Sequence, residues 1–179
     1  TKSCMCGFCF VPRTASTSTD GGVSKLGPVP AFNLLAGKAD AGTLVGLVVN
    51  GTNADLYRVA CGQPYVALGS VPFPEALYPR QVVATLAPDD TAVYATATGL
   101  ARLTLSPSLG VSELVSKAQV YAAFGPDAGL PLSVPVGQAT TAPDGHVFFV
   151  AQLPASGGGA IPYYVLDVPP GGQVRKRLG

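Results

Sequence analysis

Short apolar runs alternate with glycine, proline and aspartate turns along most of this chain. The stretch from Lys117 to Leu153 shows the pattern best. Three apolar runs are separated there by Gly-Pro-Asp, Pro-rich and Pro-Asp-Gly breaks, and none is long enough for a core helix. Such spacing predicts a meander of short antiparallel strands.

The same rhythm extends upstream. Thr43–Asn50 reads as a buried strand, and Asn50-Gly51 as a hairpin turn into a second strand over Ala54–Ala60. Ala31–Ala36 predicts a strand or a single helical turn, and Tyr65–Leu68 another strand. Pro72, Pro74 and Pro79 then impose an irregular connection, because proline donates no ladder hydrogen bond. Gln81–Leu86 and Ala92–Thr96 flank an Ala-Pro-Asp-Asp turn. Ala101–Leu105 alternates polar and apolar residues as a half-buried strand does.

Val111, Leu114, Val115 and Ala118 have helical spacing, with Ser112 and Lys117 as flanks, so residues 111–123 carry a helical option. Gln119–Phe124 reads as a strand after it. Further strands are expected at Val134–Thr140, His146–Leu153 and Tyr163–Val168, with Gly157–Gly159 as a loop tip. The basic tail from Gln173 is expected to be exposed. Eight to ten short strands without strand–helix alternation predict an all-β fold, an antiparallel sandwich or barrel over residues 31–179. Residues 1–30, small, polar and rich in breakers after the first dozen, read as an extended N-terminal arm.

Composition sharpens this picture. The chain is 47% hydrophobic but only 12% charged, with a net charge of +1, about half the usual charged share. The near-neutral balance argues against a general nucleic-acid binder, which needs a basic face. A surface this poor in charge is expected to be covered by neighbouring chains, as in a homo-oligomer or a larger assembly. No window has the unbroken apolar length of a membrane-spanning helix. The N-terminal residues lack a full apolar signal region and a small-residue cleavage site, so they are not read as a signal peptide.

Cys4, Cys6 and Cys9, with the distant Cys61, form the sharpest chemical feature. Four thiolates can hold zinc tetrahedrally or carry an iron–sulfur cluster, pinning the arm to the body. The spacing departs from paired Cys-x2-Cys zinc sites. A disulfide from Cys61 to one arm cysteine would staple the same two parts. Four reduced thiols acting as small hydrophobes is the third reading.

His146 is the sole histidine. A nucleophile pair with Cys61, or with a serine, would make a small hydrolase, but nothing local supports it. Asp89-Asp90 fits a turn better than a pair of glycosidase acids. No phosphate-binding glycine loop is present in a strand-to-helix context. Arg175-Lys176-Arg177 suits a solvated tail or an acidic partner.

Residues 117–153 resemble the small β-barrel decoration, or cement, proteins of tailed-phage heads. The resemblance rests on Val120-Tyr121, Gly125 and Gly129, Val136-Gly137-Gln138-Ala139, and Gly145 before Val147–Val150, with a similar run at Gly42–Val48. It covers about a fifth of the chain, and the cysteine arm lies outside it. It implies a structural role in a virion, on a capsid surface, with no catalytic residues to carry over. The expectation is therefore a non-enzymatic structural protein of a virus or phage particle, docked on capsid or tail subunits. The alternative is a receptor- or glycan-binding β-sandwich.

Overall fold

The computed structural model describes residues 32–37, 43–60, 64–81, 83–87, 89–124, 136–152 and 163–178. These residues form twelve strands and one short helix, an all-β fold. The expected arm and all four cysteines lie outside the described residues.

Five strands make the first sheet, in the order β4-β3-β2-β1-β5. They are β1 (Leu34–Gly37), β2 (Thr43–Asn50), β3 (Asn53–Ala60), β4 (Val66–Pro72) and β5 (Val83–Thr85). The β2–β3 hairpin closes where Asn50-Gly51 predicts it, with Gly51 at φ +62° and Asn50 paired with Asn53. Only a residue without Cβ takes that conformation at no steric cost. One pair departs from antiparallel pairing: β5 runs parallel to β1, with Leu35 opposite Val83. The proline-rich connection makes this possible. It leaves β4, forms a 3-10 turn at Glu75–Leu77, and returns to the far edge of the sheet.

β6 (Thr91–Ala95), β7 (Leu100–Thr104) and β8 (Gly110–Val115) form a second, three-stranded sheet. An isolated bridge between Leu86 and Ala92 joins it to the β5 end of the first sheet. At the other end, the Leu109 side chain packs over Gly69 of β4. The eight strands thus curl around one core. Leu34, Ala36, Val45, Leu47, Leu56 and Val71 point inward from the first sheet, and Tyr94, Ala101 and Leu103 from the second. Tyr94 is fully buried, and its hydroxyl donates to the Leu77 carbonyl at 2.9 Å. Burial pushes that hydroxyl's pKa up.

β9 (Val136–Thr141), β10 (Val147–Gln152), β11 (Tyr163–Val168) and β12 (Arg175–Leu178) form the third sheet, in the order β12-β11-β10-β9. Its inner face packs on the outside of the second sheet. Val93, Ala95, Leu100 and Val115 meet Val147, Phe149, Ala151 and Leu166 in a second core. The second sheet therefore serves both cores, and alternation along β6 sorts its side chains between them.

Helix α1 (Lys117–Ala122) closes one end of this core with Val120. Here the sequence reading needs correction. Residues 111–115 are strand, not helix, and residues 119–122 are helix, not strand. The deciding feature is a capping box at Ser116. Its hydroxyl accepts from Gln119 N–H, and the Gln119 carboxamide accepts from Ser116 N–H. The tail is exposed over residues 175–177, as expected, and residues 175–178 also form the edge strand β12.

Gln81 joins the parts. Its carboxamide is buried. Nε2 donates to the Val83 carbonyl at 2.9 Å and to the Ala139 carbonyl at 3.5 Å. Oε1 accepts from Ala139 N–H at 2.7 Å and from Ala95 N–H at 3.1 Å. One side chain thus acts as a piece of backbone shared by strands of all three sheets. Gln81→Leu keeps the volume but orphans two buried N–H groups. It is expected to lower stability by about 3 kcal/mol, read as a lower urea midpoint with unchanged slope. An unchanged midpoint would refute the role given to this side chain.

Candidate functional site

Two places on the surface combine unusual residues. The first is built on the third sheet. A Pro143-Asp144-Gly145 turn, with Gly145 at φ +84°, leads into β10. Asp144 Oδ1 accepts from His146 N–H at 3.1 Å, so this aspartate shapes the turn. His146 and Phe148 then lie on the outer face, their rings stacked at 6.0 Å and 17°. Asp167 of β11 is opposite Phe148 in the register.

Asp167 is fully buried, yet carries charge. Its Oδ1 accepts from His146 Nδ1 at 2.7 Å. Its Oδ2 accepts from Arg177 Nε at 2.9 Å and Nη2 at 2.7 Å. Arg177 reaches it because the register slips between Val165 and Leu166, leaving Arg177 without a ladder partner on β12. Burial alone would raise the Asp167 carboxyl. Hydrogen bonds from His146 and Arg177, with their charges, outweigh it and hold the group below the usual carboxylate range.

A histidine oriented by a buried carboxylate is also half of a hydrolytic triad. The other half is missing among the described residues, where no hydroxyl or thiol nucleophile hydrogen-bonds His146. The Cys61–His146 pairing considered from sequence lies outside the described residues, as does the metal site at Cys4, Cys6, Cys9 and Cys61. Among the described residues no group of three or more His, Cys, Asp or Glu is placed to hold a metal ion. The cluster's geometry is that of a clip: it fastens β12 and the start of β10 to β11.

The second place is the outer face of the first sheet. Strand alternation turns Leu35, Gly46 and Tyr57 away from the barrel core. The register aligns them in one row across all five strands: Val83, Leu35, Gly46, Tyr57 and Ala67. The Phe32 ring lies where a Cβ at Gly46 would be. It meets Tyr57 edge to face at 61°, and Tyr57 meets Tyr65 at 83°. Val83 is 45% exposed and Tyr65 41%. The flanking rows add Leu44, Val59 and Val48, with Asp55 as their one carboxylate. The sequence marked these strands but not this row, since alignment across five strands is set by register alone.

No family model and no curated protein matches the chain. Among solved structures, a structural-genomics protein from Lactobacillus plantarum is similar at 8% identity and a TM-score of 0.47, over 93% of this chain and 64% of that one. The chain spans just under two thirds of that protein's length.

The charged clip has a pH signature. A carboxyl whose folded pKa is depressed adds stability above its unfolded pKa, about 3.9. That contribution is lost as pH falls through the lower folded value. Asp167→Asn is expected to cost about 2 kcal/mol at neutral pH and to flatten the decline of stability below pH 4. Parallel acid-unfolding curves for the two proteins would overturn the assignment.

Proposed function

We propose that the chain is a non-enzymatic structural protein of a virus or phage particle, seated against capsid or tail subunits. The observation that carries the reading is the uncharged row on the outer wall of the barrel. One barrel wall is covered by the third sheet of the same chain. The opposite wall presents Val83, Leu35, Phe32, Tyr57 and Ala67 with no ionised group among them. With 12% charged residues overall, covering that central row removes apolar area at about 25 cal/mol per Å² and strands no charge.

The particle setting comes from the resemblance of residues 117–153. Its support is uneven: Val136-Gly137-Gln138-Ala139 and Val147–Val150 lie on paired strands, whereas Val120-Tyr121 lie in helix α1. A glycan-binding module would draw on the Phe32, Tyr57 and Tyr65 rings. These meet edge to face and leave no coplanar platform for a sugar.

Quantitative mass spectrometry and antibody labelling of purified particles test the proposal. A fixed copy number per particle is expected, reduced by Tyr57→Lys. Absence of the chain from every particle would overturn it.

A further inference from the structure

We infer that Asn50-Gly51, at the tip of the β2–β3 hairpin, is a site of spontaneous deamidation in the folded protein, where the asparagine becomes aspartate or isoaspartate.

The chemistry needs only the chain and water. The Gly51 nitrogen attacks Asn50 Cγ. A C–N bond forms, the bond from Cγ to Nδ2 breaks, and ammonia leaves with the proton that the Gly51 amide gives up. Water then opens the cyclic imide at one or other of its carbonyls. One opening restores the ordinary backbone as aspartate. The other routes the backbone through the side chain as isoaspartate. Asparagine is thermolabile, and glycine is its most permissive successor because no Cβ shields the attacking nitrogen.

Among the described residues two pairs can close such an imide, Asn50-Gly51 and Asp144-Gly145, both on hairpin turns. Aspartate does so with loss of water instead of ammonia. At Asp144 the reacting groups are held apart. Gly145 N–H donates to the Ala142 carbonyl at 2.9 Å, and Asp144 Oδ1 accepts from His146 N–H at 3.1 Å. Pro170 Cγ lies 3.2 Å from the place a Gly145 Cβ would take.

Asn50 has none of these restraints. Asn50, Gly51 and Thr52 are all exposed. Among the described residues, neither the Asn50 carboxamide nor Gly51 N–H has a hydrogen-bond partner. Nothing lies within 4 Å of where a Gly51 Cβ would be, so the imide closes in open solvent. Asn50 and Asn53 are the last pair of the β2–β3 ladder. Fraying of that pair lets the carboxamide swing onto the nitrogen, and such end pairs open at little free-energy cost.

The products differ in what they disturb. Either one adds a carboxylate and so cancels the net charge of +1. Isoaspartate also lengthens the backbone just ahead of Gly51, whose carbonyl accepts from the Tyr78 hydroxyl at 2.9 Å. The Tyr78 ring stacks on Phe73 at 5.6 Å and 29°, and Phe73 belongs to the barrel core. The tip is thereby loosened from the segment that follows β4.

Peptide mapping by mass spectrometry tests this, after incubating the full chain in mildly alkaline buffer with and without urea. Each site's rate in urea is its own reference. Asn50 is expected to convert in the folded protein within about tenfold of its rate in urea, and Asp144 to slow by about a hundredfold or more on folding. Ion exchange is expected to resolve an acidic species that Asn50→Gln lacks, because the longer side chain closes the ring poorly. The separated isoaspartate form is expected to have a lower urea midpoint than the aspartate form.

An Asn50 that converts in urea but stays intact in the folded protein overturns the inference. So does an acidic species undiminished in Asn50→Gln. Equal slowing of the two sites on folding overturns the distinction drawn between them, and equal urea midpoints overturn the part given to Tyr78. None of these results touches the copy number in particles, on which the structural-protein reading depends.

Discussion

One buried carboxamide determines how the three sheets sit together. Gln81 precedes β5, accepts from Ala95 of β6, and both donates to and accepts from Ala139 of β9. At the point where three sheets converge, no continuous ladder can satisfy every backbone group. Buried N–H and C=O groups must still be paired. A glutamine matches a peptide unit's donor and acceptor at the end of a flexible stem, so it completes the ladders where strands cannot. A hydrophobe of equal size would fill the space and leave the polar groups unmet.

The two cores follow from that junction. β6 is held by β7 on one side and by Gln81 on the other, and its alternate residues face opposite ways. Tyr94 and Ala92 enter the barrel, while Val93 and Ala95 enter the second core. The strand is buried on both faces and reads as a continuous apolar run. The third sheet is fastened at its free end by charge. Asp167 is buried between His146 and Arg177, which remain partly exposed at 27% and 50%. Both partners keep much of their hydration while the carboxylate gains three hydrogen bonds, an arrangement that avoids burying a whole pair. It also accounts for the sole histidine by structure.

The functional reading depends on an asymmetry of the barrel. Its two walls carry similar alternation, but among the described residues only one is covered by a further sheet. On the other wall Val83 and Ala67 are exposed, while Leu35, Phe32 and Tyr57 are half-buried. Apolar surface of this continuity is a feature of association sites. The low charge across the whole sequence agrees with it.

Periodicity and turn chemistry were enough to read the all-β class, the β2–β3 hairpin at Asn50-Gly51, the strands β10 and β11, and the irregular path through Pro72, Pro74 and Pro79. These are local: each follows from a side chain's effect on its own backbone. The helix at Ser116 was legible in principle, but its box lay four residues beyond Ser112, the flank that apolar spacing suggested. The β12 strand, the parallel β1–β5 pair, the junction at Gln81 and the Asp167 clip were not legible. Arg177 looks like a solvated tail residue until Asp167, on another strand, supplies the opposite charge. Register across strands brings together residues far apart in sequence, and a linear pattern carries no record of which strand lies beside which. The sequence by itself therefore determined which segments extend and where they turn, while only the tertiary structure decided which faces met, because pairing is settled by the shared burial of groups that local preference never compares.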